Sequence, residues 1–228
     1  MGIIRIASFN IEKNGQSSDP LKQVKVADFI AICVDLGIEV VFLCEVHSAR
    51  IGDYVDFLRA VYGGIYRVEF LAGGHSNAYV FLVRHDLGAF LSYDGLLGLN
   101  RNLFLFHIEG EIAIGFAHFK SGQTGLTESQ IQNAAGFLQD ITNNTGRWAL
   151  AGDINWDLSN FGDLTLPAYS SACSCWPDMT QMHGNILDRC VAGSSVAIDP
   201  VSGPDFFPAE FQVMDGPDHR PCIFALVW

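Results

Sequence analysis

Basic residues are scarce in this 228-residue chain: 13 Lys and Arg stand against 25 Asp and Glu, a formal charge of −12. That shortage excludes a passive coat on nucleic acid, which works by neutralising phosphates with cationic side chains. It leaves room for an enzyme that reaches phosphate through a divalent cation and a few arginines, because carboxylates around a bound metal no longer repel an anion. Long apolar runs are missing too, and no stretch approaches the roughly 18 residues a membrane helix needs. The opening residues Met1-Gly2-Ile3-Ile4-Arg5-Ile6 enter a strand pattern without the basic segment and apolar core of a signal peptide, although a trimmed chain would read the same way. The expectation is a soluble monomer, cytoplasmic or exported by a non-classical route, with a partner subunit left open.

No Pro/Ser-rich linker, charge block, low-complexity tract or internal repeat divides the sequence. With 49% hydrophobic residues, a single domain over 1–228 has enough apolar side chains for a sizeable core. Zinc-finger spacing is absent: Cys173 and Cys175 stand too close together for an ordinary ligand pair. Cys33, Cys44, Cys190 and Cys222 fall in apolar periodic segments, where thiols act as small buried hydrophobes. A loop disulfide at Cys173 or Cys175 is the alternative.

What the chain does have is a run of strand patterns, at 3–9, 40–44, 66–71, 78–83, 103–108, 112–117, 147–151, 186–191, 195–198 and 223–227. Apolar residues Leu21, Val24, Ala27, Ile30 and Val34 predict a helix over 21–36, and a second covers 51–62. Thr127-Glu128-Ser129-Gln130 reads as a capping box opening a helix with Ile131, Ala134, Ala135, Leu138 and Ile141 on its apolar face. Glu109-Gly110 reads as a tight hairpin. Near-continuous apolar strands mixed with helices predict an α/β architecture, two mixed sheets packed face to face with helices outside.

Six of the apolar runs end in a polar residue able to hold a metal or move a proton: Asn10, Glu45, His118, Asp153 with Asn155, Asp188, and Asp218-His219. Singly, each has an ordinary reading, such as a strand-closing Asn, an Asx turn or a core histidine. Together they predict one site on the loops at a sheet edge. Glu45 suits a hard, oxygen-preferring cation such as Mg²⁺. Asp153 and Asn155, two apart on an extended segment, point the same way and can orient a water, a second cation or a leaving oxygen. Asp188 can lock an imidazole tautomer, the pairing of base and orienter that activates water. Lys13, Arg50, Arg101, Lys120, Arg189 and Arg220 are the basic candidates for phosphate contact.

The set Ser8-Phe9-Asn10, Cys44-Glu45, Ala117-His118, Gly152-Asp153-Ile154-Asn155, Leu187-Asp188-Arg189 and Asp218-His219 resembles the endonuclease/exonuclease/phosphatase superfamily, in order and over nearly the whole chain. Residues 79–84, 100–102 and 187–193 are similar to deoxyribonuclease I, while Thr180-Gln181 is similar to the catalytic subunit of cytolethal distending toxin. The resemblance implies a four-layer α/β sandwich, two packed mixed β-sheets flanked by helices, and a DNA endonuclease dependent on Mg²⁺, with Mn²⁺ or Ca²⁺ as alternatives. It implies Glu45 as main metal ligand, helped by Asn10 and Asp218, and His219 with Asp188 as activator of water. His118 would bind phosphate or protonate the leaving oxygen, Asp153 and Asn155 would position the nucleophile or a second metal, and Arg101 would grip a substrate phosphate. Asn77 stands where deoxyribonuclease I carries a Glu behind its first catalytic His, and Gly184-Asn185 replace a disulfide. The same residues also serve phosphatases and phospholipases acting on inositol phosphates, phospholipids or nucleotides. A silent binding module is the third reading.

Overall fold

The computed structural model describes residues 1–14, 20–72, 77–87, 90–93, 97, 101–157, 162, 164–201, 203–212 and 216–228. Its strands are β1 (Ile3–Asn14), β2 (Val40–His47), β3 (Tyr66–Ala72), β4 (Asn77–Arg84), β5 (Phe90–Tyr93) and β6 (Leu103–Ile108). The later ones are β7 (Ile112–His118), β8 (Trp148–Asp153), β9 (Tyr169–Cys173), β10 (Asp188–Gly193), β11 (Ala197–Pro200) and β12 (Cys222–Val227). They form two six-stranded sheets, ordered β11-β12-β1-β2-β4-β3 and β5-β6-β7-β8-β10-β9. Three longer helices accompany them, α1 (Pro20–Asp35), α2 (Ile51–Tyr62) and α3 (Thr124–Ile141). The α/β sandwich of two mixed sheets is therefore the observed architecture.

Each sheet has one parallel pair at its centre, β1 with β2 and β7 with β8, and the remaining neighbours are antiparallel. A parallel pair needs a crossover, and α1 and α3 supply the two. The sheets meet through aromatic rings: Phe42 lies 6.1 Å from Phe104 and 5.5 Å from Phe116, and Phe81 lies 5.0 Å from Phe104. Such pairs contribute roughly 0.5–1.5 kcal/mol each beyond the area they bury. A second core between one sheet and α3 holds Ile131, Ala134, Ala135 and Leu138, the face the periodicity predicts.

Several local expectations are corrected. In α1 the buried apolar residues are Val26, Phe29, Ile30 and Cys33, whereas Leu21 and Val24 are half exposed. The helical spacing is right but the inward face is rotated, because Phe29 docks edge-on against Phe9 at 5.2 Å. Thr127 does not open α3, which begins one turn earlier at Thr124. Instead its hydroxyl donates to the Gln123 and Lys120 carbonyls, while Gln130 accepts from the Lys120 N–H at 2.9 Å. The two capping-box residues thus stitch the loop before the helix. Edge strands β5 and β9 were not foreseen, being short and lacking a clean alternation. All six cysteines are free, and the Cys175 thiol donates to the Ile223 carbonyl at 2.8 Å. The hairpin at Glu109-Gly110 forms as expected, with Gly110 at φ +74°.

Candidate active site

Strand direction explains why residues far apart in sequence share one edge. β1 and β2 run parallel and carry Asn10 and Glu45 to this edge, each where the strand's register shifts; β12 runs the other way and begins there, just after Asp218-His219. In the second sheet His118 on β7 pairs in register with Asp153 on β8, and Asp153 pairs with Asp188, the first residue of antiparallel β10. The Asn10 side chain bridges the two sheets, its amide donating to Asp153 Oδ2 at 2.9 Å. It also hydrogen-bonds Glu45.

Backbone conformation shapes this edge. Gly152, at φ +135°, lies so close to β7 that an added Cβ would sit 2.1 Å from the Ala117 carbonyl oxygen. Only glycine allows β8 to deliver Asp153 beside His118. Glu45 and Asn155 take left-handed φ values of +56° and +51°, Glu45 at the register shift within β2 and Asn155 two residues beyond the end of β8. The Asn155 amide donates to the Phe119 carbonyl at 3.0 Å, and its N–H donates to Asp153 Oδ1 at 3.1 Å.

The two histidines are held in different states. His219 Nδ1 lies 2.7 Å from Asp188 Oδ2, and its Nε2 is 3.8 Å from Asp153 Oδ2 and 3.9 Å from Asp218 Oδ1. Burial opposes its charge, but Asp188, Asp153 and Asp218 outweigh burial and lift the imidazole to about 10. His118 Nδ1 sits 2.7 Å from Arg101 Nη1. A guanidinium can only donate, so Nδ1 accepts and the ring proton belongs on Nε2. That Nε2 faces Glu45 Oε1 at 3.4 Å and Asp153 Oδ2 at 3.5 Å. Burial first, then the Arg101 charge, holds His118 well below the usual histidine range. Burial raises the Asp153 carboxyl; His219 pulls it down, Asp188 pushes it up, and it settles at about 6. Glu45 is raised as well, by burial and then by Asp153.

A cavity of about 390 Å³ opens over these groups, lined by Glu45, His118, Asp153, Asn155, Asp218 and His219 among others. Among the described residues that line it there is no Lys or Arg. The donor set fits a divalent cation. Glu12, Glu45, Asp153 and Asp218 line the cavity with the imidazoles of His118, His183 and His219, and behind them Asp188 has an Oδ1 that is buried without a hydrogen-bond partner among the described residues. Ligand atoms of Asp153, Asp188 and His219 lie within 4.8 Å of one another. Oxygen-rich sets of this kind suit Mg²⁺ or Mn²⁺ better than softer ions.

Nine of the ten expected site residues thus gather at this edge or touch it through a partner. For Asn77 only the backbone is described, paired with His47, and its side chain falls outside the described residues. Arg101 reaches His118. Two basic candidates are corrected: Arg189 is fully buried, and Arg220 stacks 4.6 Å over Trp176 while pairing with Asp178 at 2.8 Å. Both serve packing. Asn100 and the side chain of Arg50 lie outside the described residues.

Sequence reasoning missed Glu12, whose carboxylate accepts from the Asp218 N–H at 3.1 Å and pairs with Lys22 at 2.7 Å. Glu12 and Lys13 both take positive φ values, a strained bulge that no sequence signal announces. The structural use of Thr180 was also missed. Its buried hydroxyl accepts from the N–H groups of Leu187 and Asp188 at 2.8 and 2.9 Å and so presents the Asp188 carboxylate.

No family model matches the chain, and no curated protein matches it. Solved structures do. TDP2 from D. rerio, complexed with single-strand DNA product, matches at TM-score 0.64 and 16% identity, covering 100% of both chains. ANGEL2, a 2′,3′-cyclic phosphatase in complex with adenosine-2′,3′-vanadate, matches at TM-score 0.68 and 11% identity, over 98% of this chain and 95% of that one. An endonuclease/exonuclease/phosphatase from Bacteroides vulgatus matches at TM-score 0.68 and 14% identity, over 100% of this chain and 99% of that one. The chain has the fold these proteins share. Among its described residues no helix is long and apolar enough to cross a membrane.

Proposed function

We propose that this chain is a divalent-cation-dependent phosphoric ester hydrolase, with DNA phosphodiesters as the first candidate substrate. The observation that carries the reading is the pairing of a carboxylate-rich cavity, with no Lys or Arg among its described lining residues, with the His219–Asp188 dyad at its wall. A phosphate cannot enter such a cavity unless a cation offsets the acidic side chains. Glu45 and Asp218 would hold that cation, with Asn10 orienting the carboxylates. Bound there, it would lower the charge on the phosphoryl oxygens and weaken the hold of the carboxylates on the His219 proton.

The remaining roles follow from the chain's own groups. Asp188 fixes His219 with Nε2 towards the cavity, where the neutral ring can take a proton from water. His118, kept neutral by burial and Arg101, offers its Nε2–H to a phosphoryl oxygen, and this favours a hydrogen-bonding role over that of general acid. Asp153 and Asn155 align the water or the leaving oxygen. The reading takes residues 1–228 as one catalytic domain, since β12 lies between β1 and β11 and completes the sheet that presents Asn10.

DNA is placed first because the nuclease-like segments around Arg101 and Asp188 agree with a fold whose member TDP2 is seen with single-strand DNA product. A second reading, a phosphatase for small esters, is favoured by the acid-rich wall and by the cyclic phosphatase activity named for ANGEL2. Supercoiled plasmid, single-stranded oligonucleotides and small phosphate esters should be incubated with purified protein and Mg²⁺ or Mn²⁺. Strand cleavage is expected, and His219→Ala should slow it by roughly 10²–10⁴. Intact DNA beside hydrolysed small esters would favour the second reading, and no hydrolysis of any ester would sink both.

A further inference from the structure

Beside the catalytic cavity lies a smaller cleft of about 160 Å³. Gly122 and Asn155 belong to the walls of both, so a ligand can extend from one into the other. Gln123, Thr124, Thr127, Trp156 and Asp157 complete its described lining. The walls are built from tied-down parts. Thr127 and Gln130 anchor the loop before α3, and the Asn155 amide is fixed to Phe119. Trp156 packs against the core beneath α3.

The described lining selects against a phosphate: among the described residues it carries no Lys or Arg, and Asp157 adds a negative charge. It suits a flat, uncharged ring that stacks on an indole and carries donors and acceptors around its edge. An immobilised Trp stacks a base at little cost in rotamer entropy.

We propose that this cleft is a nucleobase subsite, in which the base next to the reacting phosphate stacks on Trp156 while Thr124, Gln123 and Asp157 meet its edge. Trp156 is then a specificity-determining residue. What fills the neighbouring cavity rests on the phosphoric ester reading, but the cleft's preference for a base can be tested without hydrolysis.

The first measurement is an NMR titration of the ¹⁵N-labelled full chain, without added metal, using adenosine and, separately, ribose. The Trp156 indole resonance, identified by its loss in Trp156→Phe, should move with adenosine and stay still with ribose. No movement, or equal movement with both, overturns the subsite. The second measurement compares cleavage of an oligonucleotide with that of the same strand carrying abasic residues. Trp156→Ala should raise KM for the base-bearing strand by on the order of tenfold, spare the abasic strand, and be rescued by Trp156→Phe. An equal loss on both strands would mean a structural role and overturn the proposal. If adenosine binds as expected but no ester is cleaved under any cation, the hydrolase reading fails and the base site stands.

Discussion

Arg101 illustrates how one contact sets the chemistry of a neighbour. Its guanidinium occupies His118 Nδ1, which leaves His118 neutral with its proton directed towards Glu45 and Asp153. Removing that charge in Arg101→Leu should raise the His118 pKa, since only burial and the weaker effects of His219 and Lys120 then oppose protonation; a histidine NMR titration of the metal-free protein reads the shift. An unchanged value would show that Arg101 has no hold on His118. The neighbouring pair makes a stability prediction. His219 is lifted in the fold from an ordinary 6.5 to about 10, and Asp153 from 3.8 to about 6. Both groups bind their protons more tightly folded than unfolded, so their contribution is full below the unfolded values and is lost as pH rises through the folded ones. Thermal melts of the metal-free protein should therefore show falling stability between about pH 7 and pH 10, where His219 titrates, and His219→Gln should flatten that fall; below this window the lowered His118 works against Asp153. These residues were legible in the sequence as types and order, because each closes an apolar run. Their protonation states were not, since those depend on which partners stand within a few ångströms.

Among the elements, β8 carries the tightest constraint. A side chain at residue 152 would collide with the β7 backbone, and φ there is one that L-residues avoid. Gly152→Ala should cost more than about 3 kcal/mol, measured by urea unfolding, and should lower hydrolysis by shifting Asp153. A near-neutral variant would mean that β7 and β8 can part at little cost. The helix spacings and most strand positions were readable from periodicity, as α2 and β6 show by matching their expected bounds. The inward face of α1 and the start of α3 were not. Leu21 and Val24 are as apolar as Val26, so only the position of Phe9 decides which stripe is covered. Thr127 likewise fits a cap by type, yet the loop at 120–123 gives its hydroxyl better partners.

For the whole molecule, the four site carboxylates form a store of repulsion that a cation should relieve. At a free Mn²⁺ or Mg²⁺ concentration about 100-fold above its Kd, the fold should gain roughly 2.7 kcal/mol. In a chain of this size that corresponds to a rise in Tm on the order of 5–10 °C. Glu45→Gln should lose most of that shift while melting at least as high as wild type without metal, because it removes one of the repelling charges. A wild-type Tm indifferent to divalent cations would remove the basis for a metal-dependent enzyme.

The sequence by itself determined the alternation of apolar runs and polar endings, the acidic balance and the residue types that point to phosphate chemistry. These are properties of local pattern and composition, which survive without knowledge of partners. The tertiary structure decided that Asn10 of β1, Glu45 of β2, the endings of β7 and β8 and the beginnings of β10 and β12 share one edge, through the mix of parallel and antiparallel pairing. It also turned Arg189 and Arg220 inward, gave Arg101 to His118, and opened the Trp156 cleft beside the cavity. Each of these is a contact across many residues of sequence. A one-dimensional pattern reports which side chains can hydrogen-bond or carry charge, but only closure of the sheets sets which of them meet.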